Sequence, residues 1–249
     1  MSIPAFLPYY VLIGTAAVVA AILYGLHISL LRADWPQQER RRALVVVSGI
    51  LLGWLAATIA LGRAGTYHVS AGGIPTIHYG IFIPVAIGLV LLWRSELANR
   101  MLDAVPQPWL VGVQLYRALG VIFLVLYAAG QLPGLFAWPA SVGDIAVGLL
   151  APIVGIAYAR APLENAGVVR GWNLFGILDL IVAVTMGFAT APSALRLIDV
   201  QPTSEMMTVL PMVLIPAFLV PLSIVLHAAS LVKLRRTAFK VTGMARVPA

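Results

Sequence analysis

The sequence predicts an all-α membrane protein, a bundle of seven transmembrane helices with its N-terminus outside and its C-terminus in the cytoplasm. Three observations carry this. Of 249 residues, 61% are hydrophobic and only 10% charged, against about 45–50% and about 25% in soluble domains, and the mean hydropathy is +0.98. Apolar stretches of roughly 20 residues, the length a helix needs to cross a ~30 Å hydrocarbon core, recur along the whole chain. Basic residues gather at alternate ends of those stretches, as they do at the cytoplasmic ends of spans. A soluble surface needs charges that this chain does not have, so a cytosolic enzyme and a nucleic-acid binder are excluded.

The segments run Pro8–Leu31, Ala43–Gly62, Tyr79–Trp93, Pro108–Gly130, Trp138–Ala159, Gly171–Ala191 and Val209–Val232. The first is expected to remain as a span: no Lys or Arg precedes it, and it is longer than a signal h-region of ~7–15 residues. The third is short, and a start near Ile74 would bring His78 into it. Segment LPGLFAWPASVG, with Pro133 and Pro139, reads as a tight outer turn between the fourth and fifth. Residues 1–236 thus form one seven-helix domain, followed by a short basic tail, 237–249. The loops leave no room for a soluble domain.

Charge sets the orientation. Arg32, Arg40, Arg41, Arg42, Arg94, Arg100, Arg160, Arg170, Lys233, Arg235, Arg236, Lys240 and Arg246 follow the odd-numbered segments, whereas Arg63 and Arg196 follow the even ones. The first group belongs in the cytoplasm, which also requires an odd number of crossings. With a net charge of +7, the expected partners are membrane lipids, specifically anionic headgroups at the cytoplasmic face. Only two of the sixteen basic residues are lysines, an Arg bias that fits a GC-rich bacterial genome and hence a bacterial inner membrane. The absence of cysteine excludes disulfides, iron–sulfur clusters and thiolate zinc sites.

Small residues at four-residue spacing (Ala17, Ala21 and Gly25; Gly49 and Gly53; Gly155 and Ala159) read as stripes for close helix contact. Tyr9, Tyr10, Trp93, Trp109, Trp138 and Trp172 lie near segment ends, where an aromatic belt is expected. Ile83-Pro84, Ala151-Pro152 and Ile215-Pro216 recur in the three inward segments, and Gly120 and Gly176 align the fourth with the sixth; in so Ala/Gly/Leu/Val-rich a chain, chance accounts for such matches.

The informative residues are ionisable groups within apolar segments, each costing roughly 2.5–3.5 kcal/mol at a helix centre. There are three: Arg117, Asp144 and Asp179. At 1.5 Å per residue, Arg117 lies ~14 Å and Asp179 ~12 Å from the cytoplasmic end, and Asp144 ~9 Å from the outer end. Gln114 precedes Arg117, and Asn173 and Gly176 precede Asp179, on nearby faces. A polar cluster among the fourth, fifth and sixth segments is expected, serving either as packing glue or as a site for a small polar or anionic solute or a proton. One cation between two carboxylates leaves an uneven charge that a proton on one of them would balance.

The histidines form a second set. His27 and His227 lie near the cytoplasmic ends of the first and last segments, where they could bind haem axially or hold a metal. His68 and His78 flank the outer Gly-rich loop, where Asp144 could join them at a metal. No cofactor is specified by any motif. No Lys lies inside the last segment for a retinal Schiff base, and HExxH, GxSxG and Walker A motifs are absent. Two function classes compete with solute or proton binding and transport: a haem or metal protein, and a non-catalytic subunit or assembly factor.

Overall fold

The structure is a computed structural model describing residues 4–69 and 71–244, with side chains through 237. It is all-helical, with no strand among the described residues; a single isolated β-bridge joins Gly73 to Ser193. The helices are α1 (Leu7–Arg32), α2 (Gln37–Arg63), α3 (Ile77–Arg94), a short α4 (Glu96–Ala104), α5 (Gln107–Ala128), α6 (Gly134–Arg160), α7 (Ala166–Thr190) and α8, with a 3-10 helix, Ser204–Thr208, between the last two. The last begins as a π-helical turn, Ile215–Leu219, and continues as the α-helix Val220–Met244. Of α1 to α8, all but α4 are long and apolar enough to cross a membrane.

Several segment ends differ from the sequence reading. α3 starts at Ile77 and includes His78. Most of LPGLFAWPASVG is helical: Gly130 adopts φ +67°, Pro133 caps α6, and the helix runs from Gly134. Residues 210–213 are turns, where Pro211 has no N–H to donate, and the π-helical turn begins at Ile215. α8 carries the chain into the expected tail as far as Met244; side chains of that tail beyond Thr237, including Lys240 and Arg246, lie outside the described residues.

α6 packs against α5 and α7, while α8 packs on α3, α5 and α7. Short α4 is amphipathic. Ser95 Oγ caps it by accepting from Ala98 N at 3.2 Å, and Pro106 follows its end, where the preceding residue is barred from helix. Its Leu97, Met101 and Leu102 join the core beneath. On its polar side Arg100 donates to Glu39 at 2.5 Å and Arg236 donates to Asn99 at 2.5 Å.

Of the small-residue stripes, Gly25 admits the Trp109 ring, and Gly155 lies where a Cβ would be 3.0 Å from Pro108 O. Ala17 and Ala21 are exposed, and at Gly49 and Gly53 an added Cβ would meet nothing within 4 Å. Those two glycines are exposed and make no helix seam among the described residues. Tyr9, Trp93 and Trp138 point outward as a belt requires. Trp172 does not: it is buried and donates Nε1–H to Val147 O at 3.2 Å.

Candidate functional site

Arg117 sits in the middle of α5, within a 3-10 stretch, Val113–Val121, between two α-helical turns. With three residues per turn, Gln114, Arg117 and Gly120 align on one face, and these three are the buried residues of the stretch. Nine residues is long for a 3-10 helix, and such stretches inside a helix often mark a hinge or strain.

That face meets α6, α7 and α8. Arg117 Nε donates to Asp144 Oδ1 at 2.7 Å and Nη2 donates to Asp179 Oδ2. Nη1 donates to Gly176 O at 3.1 Å and to His227 Nε2 at 3.1 Å. The Arg117 side chain is 2% exposed, Asp179 6% and Asp144 16%. Glycines make the room: a Cβ on Gly143 would overlap the Asp179 carboxylate, one on Gly120 would lie 2.6 Å from Asp144 Oδ2, and one on Gly176 would lie 2.5 Å from the His227 ring.

Arg117 has only donors, so His227 Nε2 must accept and the ring proton sits on Nδ1. That proton is donated to Asn173 Oδ1 at 2.9 Å. The Asn173 amide donates in turn to Val169 O at 2.8 Å and Ser230 Oγ at 2.9 Å. Gln107 Nε2 also donates to Ser230 Oγ, at 2.6 Å. A continuous buried network thus runs from the two carboxylates towards the basic end of the bundle. Trp172 covers it, its ring centroid 5.0 Å from that of His227.

Two cavities meet at Asp144. One, of about 70 Å³, is apolar; it has Asp144 and Phe123 among its walls and extends to Val69, Pro75, Ser204 and Thr208 at the end opposite the basic one. The other, of about 50 Å³, lies between α1, α5 and α8, lined by Tyr10, Thr15, Tyr116, Arg117, Asp144 and Ser223. Each exceeds the roughly 10–15 Å³ that a water requires, and the second contains Thr15 Oγ1, which is buried without a hydrogen-bond partner. The π turn of α8 lines both, through Ile215.

The structure therefore brings Arg117, Asp144 and Asp179 together, and links Asn173 to them through His227. Gln114 is buried on the same face but donates to Ser223 O at 3.2 Å on α8. Sequence reasoning placed His227 with His27. Instead both ring nitrogens of His227 are engaged inside the cluster by Arg117 and Asn173, and neither partner is His27, which is half-buried on α1. The grouping of His68, His78 and Asp144 does not form either. His68 approaches Glu205 at 3.7 Å, His78 binds Pro75 O and stacks on Tyr79, and Asp144 is held by Arg117. Among the described residues no three His or carboxylate side chains are grouped to hold a metal. Ser230 and Gln107 went unnoticed in the sequence, where nothing distinguishes a mid-helix Ser or a helix-start Gln from packing residues.

No curated protein and no solved structure matches the chain. Residues 74–235, from just before α3 to near the end of the described side chains and including every member of the cluster, match a family described as a domain of unknown function (DUF8737). With more than half of its length covered by that match, the chain belongs to this family.

Proposed function

We propose that this is a multi-pass membrane protein of the bacterial inner membrane, with its basic end in the cytoplasm, in which the Arg117–Asp144–Asp179 cluster binds a proton during the binding or transport of a small solute. The observation that carries this reading is the placement of Asp144: it pairs with a wholly enclosed arginine and at the same time lines a cavity directed to the outer end. With both carboxylates ionised the cluster carries one uncompensated negative charge. Burying an unbalanced ion costs several kcal/mol, and a proton delivered through the cavity removes that cost. An anionic solute is less well supported, because all three Arg117 nitrogens are already engaged. Axial haem ligation has no support, since both His227 nitrogens are taken.

Protonation of Asp144 would weaken its hold on Arg117 Nε and loosen α5 from α6 at the 3-10 stretch. Exchanging a 3-10 rise of about 2.0 Å for an α-helical 1.5 Å over these residues shortens α5 by roughly 4–5 Å. That is a movement large enough to alter access from one side of the bundle.

Infrared titration of the protein in lipid, with lumenal pH followed by a dye in vesicles, tests this. The C=O band of a protonated carboxyl is expected to change with pH in the wild type and to vanish in Asp144→Asn, together with proton entry driven by external acid. A band and a proton entry rate unaltered by Asp144→Asn would refute the proposal.

A further inference from the structure

A cavity larger than either of these lies away from the charged cluster. It is a groove of about 520 Å³ between α2, α3, α4 and α8, within the ~300–1,000 Å³ typical of small-molecule sites. On α2 its wall runs from Val46 to Trp54, and on α3 from Ile83 to Leu92, ending against Ser95 at the start of α4. At 1.5 Å per residue these walls extend about 12–14 Å, close to the ~15 Å of hydrocarbon in one leaflet. The lining is almost wholly apolar. α2 and α3 are the least buried of the long helices, at 11% each, so the groove is open to the side rather than enclosed by protein.

The end of this groove is marked by charge. α4 lies there with an apolar face down and a polar face out, and the Arg100–Glu39 ion pair ties it to the start of α2. Arg42 stands on α2 one turn before Val46, on the same face, and Arg94 directly precedes Ser95. Both are exposed. Neither pairs with a carboxylate among the described residues; Arg94 only lies over the Trp93 ring, 4.4 Å from its centroid. Two cations without acidic partners among the described residues thus stand next to lining residues at the end of a slot about one leaflet deep, Arg42 one turn from Val46 and Arg94 beside Ser95.

We infer that this groove is a binding site for one anionic phospholipid, an acyl chain lying between α2 and α3 and its phosphate held by Arg42 and Arg94. The inference is independent of the proton reading, since it shares no residue with the charged cluster. An uncharged groove mouth would accept any bilayer lipid alike. Arginine presents planar N–H donors suited to phosphate oxygens, and each basic residue near a membrane surface adds about five-fold in affinity for anionic lipid.

Trp54 lines the groove and reports on its occupant. The full chain is reconstituted in phosphatidylcholine containing a small fraction of acyl-brominated lipid, either phosphatidylglycerol or phosphatidylcholine. Trp54 quenching is taken as the difference from Trp54→Phe. With two arginines, brominated phosphatidylglycerol is expected to quench at roughly 25-fold lower mole fraction than brominated phosphatidylcholine. Arg42→Gln with Arg94→Gln should abolish that preference while leaving quenching by phosphatidylcholine. Ile87→Phe, at a groove-lining position, adds bulk without a new indole and should reduce Trp54 quenching by both lipids. Equal quenching by the two lipids would reduce the groove to ordinary bilayer contact. A preference that survives loss of both arginines would overturn the assignment, as would quenching by neither lipid, which would mean that a second copy or another chain covers the groove.

Discussion

Gly143→Ala sets two well-defined effects against each other. In a helix interior Ala is favoured over Gly by about 0.8–1.0 kcal/mol, so propensity alone predicts stabilisation. The new Cβ, however, would overlap Cγ and Oδ1 of Asp179. Asp179 must then swing away and release Arg117 Nη2, and breaking a buried ion pair costs about 3–5 kcal/mol. The net expectation is destabilisation by roughly 2–4 kcal/mol. Thermal unfolding of the purified protein in detergent, followed by tryptophan fluorescence, measures it. Gly171→Ala is the control, since a Cβ there meets nothing within 4 Å; it should be neutral or stabilising by up to about 1 kcal/mol. The decisive comparison is Gly143→Ala in an Asp179→Ala background, where the collision is gone and the substitution should cost nothing. An equal cost in both backgrounds would show that the close approach of α6 to the Asp179 carboxylate is not what Gly143 is there to permit.

Arg117→Lys keeps the charge but loses the fork that reaches two carboxylates, a carbonyl and an imidazole at once; a loss of about 3 kcal/mol or more is expected in the same unfolding assay. His227→Ala strands the Asn173 carbonyl in a buried site and opens a cavity, which should cost about 2–4 kcal/mol, with partial recovery in His227→Gln. Orientation is testable because the native chain has no cysteine. Asp199→Cys should react with an impermeant maleimide on intact cells, whereas Leu163→Cys, in the α6–α7 connection, should react only after permeabilisation; the opposite pattern would invert the assigned orientation.

How much of this was legible in the chain depends on whether a property is local. The number of long helices and their approximate ends follow from polarity summed over some 20 consecutive residues, and proline accounts for boundary differences such as those at Pro133 and Pro211. Arg117, Asp144 and Asp179 stood out because a charge in an apolar stretch is expensive wherever the helix later packs. Which way each helix turns was not legible. These helices are apolar nearly all round, so no amphipathic stripe declares an inner face, and Gly49, Gly53 and Trp172 were accordingly read on the wrong side.

The partner of each polar group was likewise decided only by folding. A histidine in an apolar segment gives no sign that its nitrogens will meet Arg117 and Asn173 on two other helices. The 3-10 stretch that aligns Gln114, Arg117 and Gly120 has no motif of its own. Sequence alone determined that this chain must bury three charges in an apolar bundle; the tertiary structure determined that one arginine would serve both carboxylates and a histidine, because only the close approach of α5, α6, α7 and α8, at Gly120, Gly143 and Gly176, brings those groups within hydrogen-bond reach.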